Sequence, residues 1–154
     1  MYNHAPDGYV CPFCLIAAQV ENEHVLTRSG DVIWQDDQVS AFIASHQWPN
    51  TPGHVLVIPN QHFENIYDLP LHAATAIHEC VRAVALAMKA GYGCDGISTR
   101  QHNEPAGNQD VWHYHVHVFP RYPEDQLYMT QRAKMAPEER ASYAHKLRTE
   151  LKRQ

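Results

Sequence analysis

A chain of 154 residues, 44% of them hydrophobic, suffices for one well-buried core and is too short for two ordinary domains. A formal net charge of −5 offers no broad basic field for a nucleic-acid backbone, which argues against duplex binding but leaves room for a local phosphate pocket. No apolar run is long enough to span a bilayer, and residues 1–10 lack the pattern of a secretory leader, so the expected location is the cytoplasm. Four cysteines, two of them in a Cys-x-x-Cys pair, fit a reducing compartment, where such a pair binds metal or does redox work. Twelve histidines are the unusual count, because imidazoles serve as metal ligands, acid/base groups and nucleophiles near neutral pH.

In chain order, residues 1–10 read as an irregular lead-in, and Cys11-Pro-Phe-Cys14 opens one or two helical turns through Leu15-Ile16-Ala17-Ala18. Asp31–Trp34 and Val39–Ile43 are short runs rich in β-branched and aromatic residues, joined by a polar turn as in a hairpin. His46 to Gly53 reads as a loop from its two prolines and glycine, and His54–Pro59 as a strand closed by its proline. The longest helix follows, with Asp68 as a candidate cap, Pro70 in its first turn, and Ala74, Ile77, Val81, Val84 and Met88 at three- and four-residue spacing up to Gly91. Two further strands are expected, Ile97–Gln101 and Val111–Phe119, then a C-terminal helix beginning at Pro137-Glu138-Glu139. Strands in hairpins with one long and one terminal helix describe an α+β fold with a mostly antiparallel sheet of about five strands.

His113-Tyr-His115-Val-His117 alternates histidine with apolar residues at period two, so in a strand the three imidazoles share one face while Tyr114, Val116 and Val118 turn to the core. Taken alone, that pattern suits a metal-binding cluster or a polar strand face. The preceding loop, Asn103 to Val111, favours catalysis, since its glycine and amides suit close backbone approach to a phosphate.

Gln109-x-Val111-x-His113-x-His115-x-His117-Val-Phe-Pro120, with Gly107 two residues before it, resembles the signature of the histidine-triad (HIT) family. The similarity extends to Phe42-Ile43, to Pro52-Gly53-His54-Val-Leu-Val-Ile-Pro59 and to Cys11-x-x-Cys14, which divides the chain into a lead-in at 1–10, a HIT-like domain at 11–125 and a helical tail at 126–154. The resemblance implies a nucleotide hydrolase or transferase. In it His115 attacks the α-phosphorus of a purine nucleotide derivative and forms a nucleotidyl-histidine intermediate, while His117 and Gln109 contact the phosphate oxygens. It further implies Phe42 and Ile43 as the packing surface for the purine, His46 at the ribose position, and Asn103 and Gly107 in the nucleotide loop. A homodimer is also implied.

Three positions depart from the family pattern. His102 stands where an amide is usual, leaving Gln101 or Asn103 to take that place; Asp110 replaces a hydroxyl beside the phosphate; and His46 replaces an acid or amide. For Cys11 and Cys14, the resemblance to the zinc-bearing branch assigns His54 and His113 as partners in a closed, structural Cys₂His₂ zinc site. Two other readings remain: a nucleotide sensor without chemistry, and a thiol oxidoreductase at Cys11 and Cys14. The second requires a βαβ setting that the residues before Cys11 do not offer.

Overall fold

A computed structural model describes residues 2–153. The chain forms α1 (Pro12–Ala17), β1 (Val32–Gln35), β2 (Val39–Ile43), β3 (His46–Gln47), β4 (Val55–Pro59), α2 (Leu71–Tyr92), β5 (Gly96–Gln101), β6 (Val116–Arg121), β7 (Ala133–Lys134) and α3 (Pro137–Leu151). Five strands make one antiparallel sheet in the order β1-β2-β4-β6-β5, and β3 pairs with β7 apart from it. The fold is therefore the α+β arrangement expected from the sequence.

The pleat of β2 and β4 separates two cores. Ala41, Ile43, Val55 and Val57 face α2 and α3, where they meet Ile77, Val84, Met88, Ala144 and Leu147. Phe42, Leu56 and Ile58 face the other way, onto Cys11, Phe13 and Ile16 of the α1 region. The polar turn between β1 and β2 closes through Asp36, whose Oδ1 accepts the backbone N–H groups of Gln38 and Val39 at 2.8 Å each.

Four expectations change in detail. α2 runs through Gly91 and stops at Gly93, whose φ of +63° is the left-handed conformation that glycine adopts without a Cβ penalty. Asp68 makes no capping bond, and Pro70 occupies the cap position instead. The proline-rich stretch from His46 to Gly53 contains β3, which pairs with residues 133–134 far along the chain. The strand read as Val111–Phe119 is regular only from Val116, so His113 and His115 lie in an irregular run leading into β6.

α3 lies against α2, and its Arg140 is fully buried, bonded through Nε to Asp31 Oδ2 at 3.0 Å and through its terminal nitrogens to the carbonyls of Met135 and Leu26. Between β6 and α3 the backbone crosses back over the sheet, with Met135 N–H donating to the Ser45 carbonyl at 3.0 Å.

Candidate functional site

β4 and β6 run antiparallel, with Val55 opposite Val118 and Val57 opposite Val116, so each step forward on β4 is a step backward on β6. This polarity sorts the histidines. His54, at the start of β4, falls beside the far end of the triad: its Nε2 is 2.9 Å from His117 Nδ1, and its ring stacks 4.2 Å from Phe119. The end of β4 falls beside the near end, where the Pro59 carbonyl meets His113 Nε2 at 2.9 Å.

The zinc expectation is corrected accordingly. His54 is not in the thiol cluster, because strand polarity carries it to His117. His62, three residues beyond Pro59, takes that place. Cys11, Cys14, His62 and His113 bring their ligand atoms within 4.8 Å of one another. His113 Nδ1 is 3.3 Å from Cys11 Sγ and 3.6 Å from Cys14 Sγ, and His62 Nδ1 is 3.3 Å from Cys14 Sγ. Two sulfurs and two imidazole nitrogens are the donor set of a closed tetrahedral zinc site, and the Pro59 carbonyl on the outer nitrogen of His113 is the support such a ligand ordinarily has. Burial pushes the Cys14 thiol up to about 12 and His113 down to about 4, which favours the thiol form of Cys14 and the neutral imidazole of His113. No sequence spacing marks His62; antiparallel pairing of the two strands is the signal that places it opposite His113.

His115 is buried, and its Nδ1 lies 2.7 Å from the His113 carbonyl. A carbonyl only accepts, so Nδ1 carries the proton and Nε2 keeps a lone pair. Burial lowers the pKa of His115 and favours this neutral form. At the His54–His117 contact one ring nitrogen donates and the other accepts. Burial holds His54 at about 3 and His117 far below the ordinary histidine range, so both are neutral.

His115, His117 and His54 line a cavity of about 270 Å³, together with His46, Phe13, Ile16, Leu56, Asp110 and Arg132. A larger cavity, about 610 Å³ between Gln19, Gly30 and Arg148, is lined by no histidine or cysteine, and the histidines gather at the smaller one.

The remaining sequence-derived residues divide. His46 lines the cavity. Ile43 does not belong there, because the pleat turns it to the α2 side while Phe42 lies beneath Phe13, ring centroids 5.6 Å apart; Phe13, Ile16 and Leu56 are the apolar wall. Gln109 is committed to the backbone: its amide donates to the Glu64 and Val111 carbonyls at 2.6 and 3.0 Å and its oxygen accepts Glu104 N–H at 2.8 Å, so it shapes the loop instead of facing phosphate. Asn103 likewise accepts from Ile66 N–H and exchanges amide bonds with Gln101. Gly107 accepts from His102 Nδ1 at 2.7 Å, and of the three candidates for the amide position His102 is the one whose ring stands 5.7 Å from His117.

Asp110 Oδ1 is 3.9 Å from His115 Nε2, and its Oδ2 pairs with Arg132 at 2.6 Å. Burial acts to raise the Asp110 carboxyl, but the Arg132 guanidinium outweighs it and holds the group ionised.

A five-stranded antiparallel sheet with neutral imidazoles facing a cavity on one side, and a sulfur–imidazole cluster behind them, defines an α+β domain built around a histidine cluster. The HIT domain family model matches residues 26–124, and the chain belongs to that family. It is 34% identical over 116 residues to the "Protein hit" of Bacillus subtilis, covering 73% of this chain and 71% of that one. It is 30% identical over 94 residues to the purine nucleoside phosphoramidase of Escherichia coli K12, covering 60% of this chain and 77% of the relative. Among solved structures, a zinc-bound histidine triad family protein from Mycobacterium smegmatis superposes with a TM-score of 0.76 at 26% identity, over 93% of this chain and 94% of the other.

Proposed function

We propose that this protein is a nucleotide hydrolase or nucleotidyl transferase in which His115 Nε2 attacks the α-phosphorus of a purine nucleotide derivative. Nucleoside phosphoramidates, dinucleoside polyphosphates and related adenylylated compounds are the substrate class. The observation that carries this reading is the 2.7 Å bond from His115 Nδ1 to the His113 carbonyl, which leaves the opposite nitrogen unprotonated at a cavity wall. His117, 2.9 Å from His54 and lining the same cavity, is the neighbouring contact for a phosphoryl oxygen as charge develops there. The phosphoramidase among the relatives supports this chemistry. In the covalent step the bond from phosphorus to the leaving group breaks as the P–N bond to His115 forms, and water or another acceptor then cleaves that P–N bond.

Cys11, Cys14, His62 and His113 would hold a structural zinc, which pins the N-terminal segment to the approach to β6 and so steadies His115 two residues on. Two imidazoles directed at the thiol pair favour metal over dithiol–disulfide cycling. A homodimer is proposed through the outer strand β5 and α2, tested by sedimentation at micromolar concentration, where a monomer refutes it.

The test is release of mononucleotide from adenosine phosphoramidate, diadenosine polyphosphates and nucleotide sugars, with mass spectrometry of the acid-quenched protein. Wild type should carry a transient nucleotidyl adduct on His115. His115→Ala should keep the fold and metal while losing the adduct and nearly all turnover. Binding without adduct or turnover by wild type would refute the enzyme reading in favour of a sensor.

A further inference from the structure

Asp110 poses an electrostatic problem. A carboxylate 3.9 Å from the reacting nitrogen stands where a nucleotide must bring its phosphate, and like charges at such range repel strongly in a partly dry site. Its partner comes from outside the segment that defines the family. Residues 130–135 lie beside Ser45, His46 and Gln47, held by the β3–β7 pairing and by Met135 N–H on the Ser45 carbonyl. From that strap the Arg132 side chain enters the cavity. Among the described residues lining the cavity with His115 and His117, Arg132 is the one lysine or arginine. Its ion pair with Asp110 is 2.6 Å long, yet both side chains are nearly half exposed, at 45% and 46%, so the pair is weak and exchangeable.

We propose that Arg132 is the phosphate-binding cation of this site, held by Asp110 in the empty cavity and transferred to the phosphoryl oxygens when a nucleotide enters. A guanidinium presents a planar fork that takes two phosphate oxygens as readily as two carboxylate oxygens, so the ligand replaces Asp110 on the same donors. Asp110 then acts as an internal competitor. It keeps Arg132 oriented in the absence of ligand and lowers the affinity for any anion that cannot displace it. The inference rests on the nucleotide reading above, and its test uses binding, which is independent of turnover.

The experiment is calorimetric titration of the zinc-loaded, full-length protein with AMP and, separately, with adenosine. Arg132→Ala should weaken AMP binding by roughly ten- to a hundredfold, the range for loss of a charge-assisted bond, and leave adenosine binding unchanged. Arg132→Lys, which keeps the charge but loses the fork, should fall between. Asp110→Ala should tighten AMP binding, and the slope of affinity against salt should flatten in Arg132→Ala. Because Arg132 is half exposed, unchanged melting temperature and zinc content verify that the variants are folded. If wild type binds AMP and Arg132→Ala binds it equally well, the proposal is overturned while the nucleotide reading stands. An equal loss of adenosine binding would also overturn it, by showing that the strap shapes the cavity and does not read phosphate. If wild type binds neither ligand, the nucleotide reading fails and the proposal falls with it.

Discussion

Replacing Arg140 by methionine tests what holds α3 and the strap before it in place. The guanidinium is 0% exposed and Asp31 1%, so the substitution leaves an ionised carboxylate in the interior. Asp31 would retain one bond, from Arg28 N–H at 2.8 Å, and its Oδ1 has no partner even in the intact protein. The Met135 and Leu26 carbonyls would lose their donors as well. Breaking a buried pair from one side costs about 3–5 kcal/mol, of which the stranded charge is the larger part. For a chain of this length, at about 2–4 °C per kcal/mol, that is a drop of roughly 10 °C in melting temperature. Urea unfolding of the zinc-saturated protein gives the free energy directly. Arg140→Met combined with Asp31→Leu should recover most of the loss, because no charge is then stranded, although the Arg28 bond stays broken. A single variant within about 1 kcal/mol of wild type, or a double variant no better than the single, would refute the reasoning.

His62→Ala should lose stoichiometric zinc in a chelator-release assay while His54→Ala keeps it; the opposite pattern restores the assignment made from sequence. Stability should fall with acid, because His54 titrates at about 3 in the folded protein and near 6.5 unfolded, burial being the main cause. The unfolded chain alone takes up that proton between those values, so stability present above pH 6.5 is lost as pH drops toward 3, by up to ~1.4 kcal/mol per pH unit for each such histidine. Urea midpoints from pH 7 to 4 should show a shallower slope for His54→Phe than for wild type, and equal slopes would discount His54. Gly53→Ala should cost about 2–4 kcal/mol by thermal melting, since φ is +89° and a Cβ would stand 2.7 Å from the Tyr92 ring; a neutral result would mean that the ring moves aside freely.

Periodicity made the elements with continuous apolar faces legible: β2, β4 and the 22-residue α2 each announce a buried surface. The pairing of β3 with β7 was not, because two-residue strands carry no pattern and join residues 46–47 to 133–134. The same limit governed the site. His115 and His117 follow from local alternation, whereas His62 depends on which end of β4 meets which end of β6. Taking Phe42 and Ile43 together as a purine surface conflicted with the pleat, which sends neighbours to opposite faces. Gln109 was read as a phosphate donor, yet its carbonyl and both amide hydrogens are spent on the loop, a fact visible only when Glu64 and Glu104 are brought beside it.

The alternation entering β6 also guards assembly of the sheet. A one-residue slip of β6 against β4 would turn His117 away from His54 and into the packed side chains of Ile77, Val84 and Met88. It would expose Val118 in exchange. Each imidazole stranded there forfeits about 1–3 kcal/mol of hydrogen bonding, and His115 and His113 would be misdirected along with it. Wrong registers are thus penalised during folding by the same histidines that line the cavity, so replacing His117 with an apolar side chain should remove a proofreading step as well as a polar group of the cavity.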